Sequence, residues 1–362
     1  MERPHRETYT VRTVDGTREF RVEDGVVLPH EHIIVDSRVW WEGDGDWRAF
    51  DDAAVVAETG WSDLHRRPQG VLRENLLLSD WFLGARELKL AREAGTQLVV
   101  DLTVLGGGPN AEIAARAAAA AGVSLVVSAG RYLEQALPAS ELQVSEQELV
   151  ERWTRQIEEG YAVEDRPSAE TSSSPGRLMP GVIGEIGTGR DISDVERTSL
   201  RAAGRVQAAT GLPFNIHVHP FAKRALQAIA IAEKAGADPA RIAISHLDCE
   251  IDLPQLEAIM SAGAFVEFDN FGTGRGRYVN GDAYPDDSER LDAIEHFLNA
   301  GFGGQLLLSH DINHRNSLVA NGGWGYRHIA RTIRPRLVER FGEDVAVGLT
   351  ARNPLAFLNV DA

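Results

Sequence analysis

The chain has 362 residues, a formal net charge of −17 at pH 7 and a sequence pI of about 5.1. This negative field predicts that nucleic acids, anionic membrane surfaces and polyanionic substrates are not partners, because like charges repel. Hydrophobic residues make up 43% of the chain, which is enough to fill a large core. Barrels of alternating strands and helices often reach this length as one unit. We therefore expect residues 1–362 to form a single domain that acts on a small molecule.

Cysteine content and hydropathy indicate the compartment. The one cysteine, Cys249, cannot form an intrachain disulfide, which suits a reducing environment. The first residues lack the apolar segment of a secretion signal, and no run approaches the ~18 apolar residues that span a bilayer. These features predict a cytoplasmic protein that does not enter a membrane.

The first part of the chain predicts a hairpin and a long loop. Alternating residues between Tyr9 and Asp24 flank an Asp-Gly pair, a pattern typical of a β-hairpin. We interpret residues 1–24 as an N-terminal hairpin extension outside the main core. After a core strand predicted from Gly25 to Ile34, the irregular stretch 36–79 holds four of the seven tryptophans. It is interpreted as an excursion on the body or at a subunit interface, with a wall or lid of a substrate pocket as the alternative.

From residue 81 onward, short β-branched runs alternate with Ala- and Leu-rich helical segments, which is typical of parallel βα units. Seven more strands are predicted at residues 97–103, 124–129, 181–186, 213–218, 241–246, 264–268 and 305–309. Helices are predicted near residues 84–95, 110–121, 145–160, 194–210, 222–235, 252–262, 288–300 and 325–341. Eight such units predict a (β/α)8 TIM barrel over residues 25–353. An open doubly wound sheet is the alternative, although the first βα turn lacks a dinucleotide-binding glycine fingerprint.

The predicted strand ends carry a selective set of side chains. Barrel enzymes place their chemistry at the C-terminal ends of the strands. The metal-competent residues found there are His30, His32, Glu185, His217, His246 and Asp311. Four imidazoles and two carboxylates suit a pair of first-row divalent ions, which lower the pKa of a shared water. His219 repeats the alternation of His217, so spacing alone permits either residue or both as ligands.

Six short motifs follow one another in a characteristic order. They are His30-Glu31-His32, Gly184-Glu185-Ile186-Gly187-Thr188, Ile216-His217, Ile244-Ser245-His246-Leu247-Asp248, Leu308-Ser309-His310-Asp311-Ile312 and Asn321-Gly322-Gly323-Trp324-Gly325-Tyr326. From about Gly25 to Asn353 the chain resembles the phosphotriesterase family of the amidohydrolase superfamily. Because residues 181–189 contain no lysine, Glu185 is similar to the metal bridge of the phosphotriesterase homology or phosphotriesterase-related branch.

The resemblance implies a ligand set and a mechanism. One metal ion would be held by His30, His32 and Asp311, the second by His217 and His246, and Glu185 would bridge them. It implies two divalent ions per chain, zinc in first place with Mn²⁺, Co²⁺ or Fe²⁺ as alternatives. A metal-bridging hydroxide would attack an ester-type bond, and Asp311 would act as the catalytic residue that takes its proton. The family also implies a homodimer.

The substrate is predicted less directly. A lactone or carboxylic ester is favoured over a phosphoester, a phosphotriester or an amide, because the chain has few lysines and no evident phosphate clamp. A non-catalytic metal-binding or small-ligand-binding protein is the rival from another class. Four residues in the loops after strands three, seven and eight are predicted to line the pocket: Tyr132, Arg275, Arg277 and Trp324.

Overall fold

The computed structural model describes residues 7–41, 73–161, 177–273 and 284–361. Most of the Trp-rich stretch 36–79 lies outside these residues, as do the predicted pocket residues Arg275 and Arg277. Within the described ranges, no helix is both long and apolar enough to cross a membrane.

A sheet of eight parallel strands forms the centre of the molecule. Its members are β3 (Val26–Glu31), β6 (Thr96–Asp101), β7 (Ser124–Ala129), β8 (Pro180–Gly187), β9 (Phe214–His217), β10 (Ile242–Ile244), β11 (Phe265–Phe268) and β12 (Leu306–Leu308). Each strand pairs with the next in chain order. A doubly wound sheet would reverse its strand order at one point. The predicted (β/α)8 barrel is therefore confirmed, with all eight predicted core strands in place.

Helices follow the strands and cover the outside of the sheet. They are α1 (Trp81–Glu93), α2 (Ala111–Ala121), α3 (Glu146–Glu159), α4 (Asp194–Thr210), α5 (Ala225–Lys234), α6 (Leu253–Ser261), α7 (Asp287–Asn299), α8 (Arg334–Phe341), α9 (Glu343–Val347) and α10 (Asn353–Leu358). The helix predicted near 325–341 begins instead as a π-helical turn, Ile329–Ile333, which leads into α8.

Local sequence explains where several helices begin. α3, α4 and α7 each start with a capping box, in which a Ser or Asp and the Glu three residues later bond each other's backbone amides. On α2 the buried face consists of Ala114, Ala117, Ala118 and Ala121, whose spacing matches the helical period. Small side chains on that face let the helix pack closely against the sheet.

The N-terminal hairpin consists of β1 (Thr8–Thr13) and β2 (Gly16–Arg21), paired antiparallel as predicted. It does not lie outside the core as expected. Tyr9, Val11 and Phe20 are buried in an apolar cluster with residues of the barrel strands. Val14 N also donates to Leu125 O at 2.9 Å, at the start of β7. The hairpin thus covers the N-terminal end of the barrel, where burying its apolar face removes that surface from water.

Two short strands form a separate pair, one of them just after the C-terminal end of the first barrel strand. β4 (Val35–Asp36) and β5 (Leu77–Leu78) pair antiparallel at the two ends of the Trp-rich stretch. Their pairing brings the ends of that stretch together at the C-terminal end of the barrel.

Candidate metal centre and substrate pocket

The six predicted metal-competent residues lie at the C-terminal ends of five different strands. His30 lies in β3 and His32 just after it, while Glu185 lies in β8 and His217 ends β9. His246 and Asp311 follow β10 and β12. All six side chains are at most 9% exposed. Sequence positions almost 300 residues apart therefore meet in one buried place.

Glu185 lies in the middle of this group. Its Oε1 is 2.9 Å from His217 Nδ1, 3.0 Å from His246 Nε2 and 3.7 Å from His30 Nε2. On the opposite side, Asp311 Oδ1 is 3.1 Å from His32 Nε2 and 3.7 Å from His30 Nε2. Ligand atoms of three overlapping triads lie within 4.8 Å of one another: His30, His32, Glu185; His30, His246, Asp311; and Glu185, His217, His246. The arrangement can therefore bind metal.

The chemistry of the donor atoms fits metal ions better than a network of hydrogen bonds. His246 Nε2 and His217 Nδ1 are only 2.8 Å apart, and both lie within 3.0 Å of the same oxygen, Glu185 Oε1. His30 Nε2 is buried and has no hydrogen-bond partner among the residues that the structure describes. Buried polar atoms are normally satisfied, so imidazole nitrogens directed at shared carboxylate oxygens indicate a site that cations complete.

Two residues of the cluster have unusual backbone conformations. His246 has φ 62° and Asp311 has φ 48°, in the left-handed region that non-glycine residues rarely adopt. Such residues concentrate at functional sites, where the surrounding structure holds them. Here the conformation turns the chain just after β10 and β12.

A glycine lets β8 approach the loop after β7. A Cβ on Gly187 would lie 2.2 Å from Leu133 N, which is too close for any side chain. Glycine at this position therefore brings the end of β8, with Glu185, against the segment that carries Tyr132.

Further buried groups orient the histidines from behind. His30 Nδ1 lies 2.9 Å from Glu267 Oε2 and 3.1 Å from Asp269 Oδ2, and His246 Nδ1 lies 3.2 Å from Asp269 Oδ1. His32 Nδ1 lies 2.9 Å from Thr103 Oγ1. Carboxylates that bind the second ring nitrogen fix the orientation of a metal-binding histidine. Sequence analysis missed Glu267 and Asp269, although their positions at the end of β11 were a usable signal.

Neighbouring charges and burial together set the pKa values of the cluster residues. Burial by itself lowers the pKa of His30, but hydrogen bonds with Asp269 and Glu267 outweigh it and hold that pKa well above its usual value. Burial also opposes ionisation of Glu185, yet the charge and hydrogen bonds of His217 and His246 hold its pKa well below its usual value. Because its pKa is lowered, Glu185 is a carboxylate at neutral pH. Burial lowers the pKa of His217 as well.

Above the cluster lies an open-mouthed cavity. Four aromatic side chains, Trp40, Tyr132, Phe221 and Tyr284, line part of it together with His219. Tyr132 lies where the sequence predicted a pocket residue. Its hydroxyl accepts from Trp40 Nε1 at 3.0 Å and is 3.2 Å from His217 Nδ1. Trp40 supports the interpretation of the Trp-rich stretch as a pocket wall at this one position.

Asn313 and His314 line the cavity next to Asp311. Asn313 Nδ2 donates to Asp311 Oδ2 at 3.0 Å. Burial lowers the pKa of His314 to about 4, so its imidazole is neutral at physiological pH. Both side chains can therefore exchange neutral hydrogen bonds with a ligand.

Other predicted residues lie elsewhere. Trp324 packs against the backbone of Gly272 and is not among the described residues that line this cavity, so its pocket role stays a prediction. His219 lines the cavity, but its Nδ1 accepts from Phe221 N at 3.3 Å and it belongs to none of the metal-competent triads. Cys249 is a buried free thiol in the cavity wall.

A (β/α)8 barrel with clustered histidines and carboxylates at the C-terminal ends of its strands defines a metal-binding barrel of the hydrolase type. The chain belongs to the phosphotriesterase family, whose model matches residues 10–358. Members of this family depend on a binuclear metal centre.

Curated relatives agree with this placement. The N-acetyltaurine hydrolase of Rattus norvegicus is 31% identical over 291 residues, covering 79% of this chain and 80% of the relative. The phosphotriesterase-related protein of Drosophila grimshawi is 26% identical over 347 residues, covering 93% and 95% of the two chains. The predicted phosphotriesterase-related branch is thereby confirmed.

Solved structures share the whole fold. A resiniferatoxin-binding protein from Rhodobacter sphaeroides superposes with a TM-score of 0.83 at 27% identity, covering 99% of this chain and 97% of that one. A mutant phosphotriesterase-like lactonase of Deinococcus radiodurans gives a TM-score of 0.72 at 27% identity, covering 97% and 100%.

Proposed function

We propose that the protein is a binuclear metal-dependent hydrolase that cleaves a carboxylic acid derivative, with a lactone or carboxylic ester in first place. The observation that carries this proposal is the position of Glu185. One of its carboxylate oxygens faces His217, His246 and His30 together. A carboxylate so placed can be shared by two cations without the lysine that this strand lacks.

The residues would divide between two ions. His30, His32 and Asp311 would hold one, His217 and His246 the other, and Glu185 would contact both. Imidazole with carboxylate suits Zn²⁺, and also Mn²⁺, Co²⁺ or Fe²⁺. When bound, such a pair lowers the pKa of water towards neutrality and polarises the bond to be cleaved.

The chain's own groups would manage the proton and the substrate. The hydrogen bond that Asn313 Nδ2 donates to Asp311 Oδ2 at 3.0 Å keeps the Asp311 carboxyl group directed. Asp311 would take the proton released as water attacks and pass it towards the leaving group. The Tyr132 hydroxyl would orient the substrate oxygen from its place beside His217.

The cavity favours a substrate without a strong negative charge. Across the described residues, no lysine or arginine side chain lines it. A phosphate or sulfonate group would normally meet a cation in its site. An acyl group against aromatic walls needs no such partner, which favours a carbonyl electrophile over a phosphoryl one.

Two alternatives have observations in their favour. Relatives are named for N-acetyltaurine hydrolysis, so an amide is the second candidate for the bond cleaved. One solved structure is that of a protein named for binding resiniferatoxin, which favours a binding protein that keeps the site without turnover. Homodimer formation and a cytoplasmic location are proposals on the sequence arguments alone.

Metal analysis combined with a substrate panel tests the proposal. Metal per chain would be measured on gently purified wild type and on Glu185→Ala, and both would be assayed with lactone, ester, amide and phosphotriester substrates. We expect about two divalent ions in the wild type, and loss of metal and turnover in the variant. A wild type that stays metal-free and inert after zinc or manganese is supplied would overturn the hydrolase proposal. Two ions without any turnover would favour the binding protein.

A further inference from the structure

Glu31 ends β3 between two members of the cluster, yet it belongs to none of the metal-competent triads. Its side chain is fully buried. Successive side chains of a strand point to opposite faces, and the carboxylate is accordingly directed away from the cluster. It faces the segment that follows β12.

The two oxygens of Glu31 bind the backbone on both sides of Asp311. Oε1 accepts from His310 N at 3.1 Å, and Oε2 accepts from Ile312 N at 3.0 Å. Oε1 also accepts from Ser309 Oγ at 2.8 Å. Asp311 N itself donates to His30 O at 3.3 Å. Three consecutive amides are therefore fixed by two adjacent residues of β3.

This contact explains how Asp311 keeps its left-handed backbone. At φ 48°, an aspartate persists only when neighbouring bonds specify that conformation. Glu31 supplies bonds on both sides, and they are charge-assisted because its carboxylate accepts backbone N–H groups. Without them, the segment could relax and turn the Asp311 carboxylate away from His32.

The contact also joins the two ends of the sheet. β3 pairs with β6 and β12 pairs with β11, but within the described strands β3 and β12 share no ladder of backbone pairs. The Glu31 side chain takes the place of that ladder at the level of the cluster. Its geometry therefore sets where the segment after β12 lies relative to β3.

His310 extends the same contact outward. Its Nδ1 lies 2.5 Å from Glu31 Oε1, and its Nε2 accepts from Ile329 N at 2.9 Å. Since an amide can only donate, the ring proton must be on Nδ1 and is donated to Glu31. Glu31 is thus linked through His310 to the helical segment that begins at Ile329.

We propose that Glu31 is a positioning residue, which sets the direction of the Asp311 carboxylate and thereby the affinity of the centre for metal. The inference rests on the proposed function, because it takes Asp311 to be a metal ligand. It adds a role for the middle residue of the His30-Glu31-His32 motif.

The test uses Glu31→Gln in the full chain loaded with Zn²⁺. The glutamine side chain has an NH2 group in place of one carboxylate oxygen. The backbone N–H of either His310 or Ile312 therefore loses its acceptor. We expect zinc to be lost to a competing chelator at roughly 10- to 100-fold lower chelator concentration than in the wild type. Zinc per chain is measured directly, so the result does not depend on a known substrate.

Glu87→Gln is the matched control. Glu87 is 2% exposed, and its two oxygens accept from Val319 N and Ala320 N at 2.9 Å each, farther along the same connection after β12. The same substitution removes the same kind of bond there, without touching the amides that flank Asp311. We expect lowered thermal stability with zinc retention like that of the wild type.

A double-mutant cycle separates positioning from general loosening. If Glu31 acts through Asp311, Glu31→Gln should cause no further loss of zinc in an Asp311→Ala background. Additive losses would overturn the inference. Should Glu31→Gln not fold, Glu31→Asp and Glu87→Asp replace the two variants, because the shorter carboxylate cannot reach both amides.

The outcomes distinguish the two proposals. A wild type that binds zinc, together with a Glu31 variant that binds it equally tightly, overturns only the positioning role. Equal zinc loss in the Glu31 and Glu87 variants overturns it too. A wild type that binds no zinc overturns the proposed function and this inference with it.

Discussion

Asp311 approaches His32 with one carboxylate oxygen and Asn313 with the other. Oδ1 lies 3.1 Å from His32 Nε2, while Oδ2 accepts from Asn313 Nδ2 at 3.0 Å. Oδ1 is therefore directed at His32, while Oδ2 is bonded by Asn313 and lies 3.7 Å from His246 Nδ1. This division suits a carboxylate that holds a cation and also handles a proton.

Asp311→Asn tests that second role. The amide keeps an oxygen that can face the cluster, but it cannot take a proton. We expect kcat to fall by roughly 10²- to 10⁴-fold, the usual contribution of general acid–base catalysis. Steady-state kinetics and metal analysis on the same sample would check this. Full turnover in a variant that keeps its metal would show that Asp311 is not the base.

Asn313→Ala is the control for that variant. It removes only the hydrogen bond to Asp311 Oδ2 and leaves the carboxylate in place. We expect a loss of kcat of less than about tenfold, in line with one hydrogen bond of about 1 kcal/mol.

Tyr132→Phe tests the orientation of the substrate. The change removes the hydroxyl that lies 3.2 Å from His217 Nδ1 but keeps the ring that forms the wall. We expect kcat/KM to fall by about tenfold, the cost of one hydrogen bond that is made in the transition state. Steady-state kinetics on the best substrate of the panel measure the loss.

Trp40→Phe separates the hydroxyl's own effect from that of its support. This variant removes the donor that holds the hydroxyl at 3.0 Å and leaves the hydroxyl itself. A smaller loss than in Tyr132→Phe is expected. Equal losses in the two variants would mean that the Tyr132 hydroxyl contributes to catalysis only while Trp40 holds it in place.

Asp287→Asn gives a pH-dependent loss of stability away from the metal centre. Burial raises the pKa of Asp287, but hydrogen bonds with His328 at 2.7 Å and with Gly272 N at 2.9 Å outweigh it and hold the pKa below its usual value. A lowered folded-state pKa stabilises the protein above the unfolded pKa, near 3.9, and this stabilisation is lost as pH falls through the folded-state value. The variant should therefore lose about 1 to 3 kcal/mol at pH 7 and less at pH 3, which lies below the unfolded pKa.

Urea unfolding at the two pH values measures this difference. Asp292→Asn on the same helix is the control, since Asp292 is 68% exposed and pairs with Arg340 at the surface. Exposed pairs contribute little, so its effect should be small at both pH values. An Asp287→Asn loss that is the same at pH 3 and pH 7 would contradict the role given to the carboxylate.

The alternation of short β-branched runs with Ala- and Leu-rich helical segments made the barrel predictable from the sequence. The runs around Val99, Val126 and Ile183 are apolar because parallel strands are buried on both faces, and this pattern needs no tertiary information to recognise. The six cluster residues were predictable for a related reason, since parallel strands bring their C-terminal ends to one side of the barrel.

Other features depended on contacts between distant segments. The hairpin was expected outside the core, but the apolar residues of β1 and β2 instead cover the N-terminal end of the barrel. Nothing in their local pattern indicates which surface they bury. Glu267 and Asp269 lie at the end of a predicted strand, but which histidines their carboxylates contact becomes visible only in the tertiary structure.

The sequence by itself determined the order of strands and helices, the residue types that can bind metal and the family, because these follow from local periodicity and short motifs. Only the tertiary structure decided which atoms face one another. It placed Glu185 Oε1 between His217 and His246, and Glu31 on the amides flanking Asp311. The physical reason is that direction and distance across a barrel depend on backbone conformation and packing over hundreds of residues, which no local pattern contains.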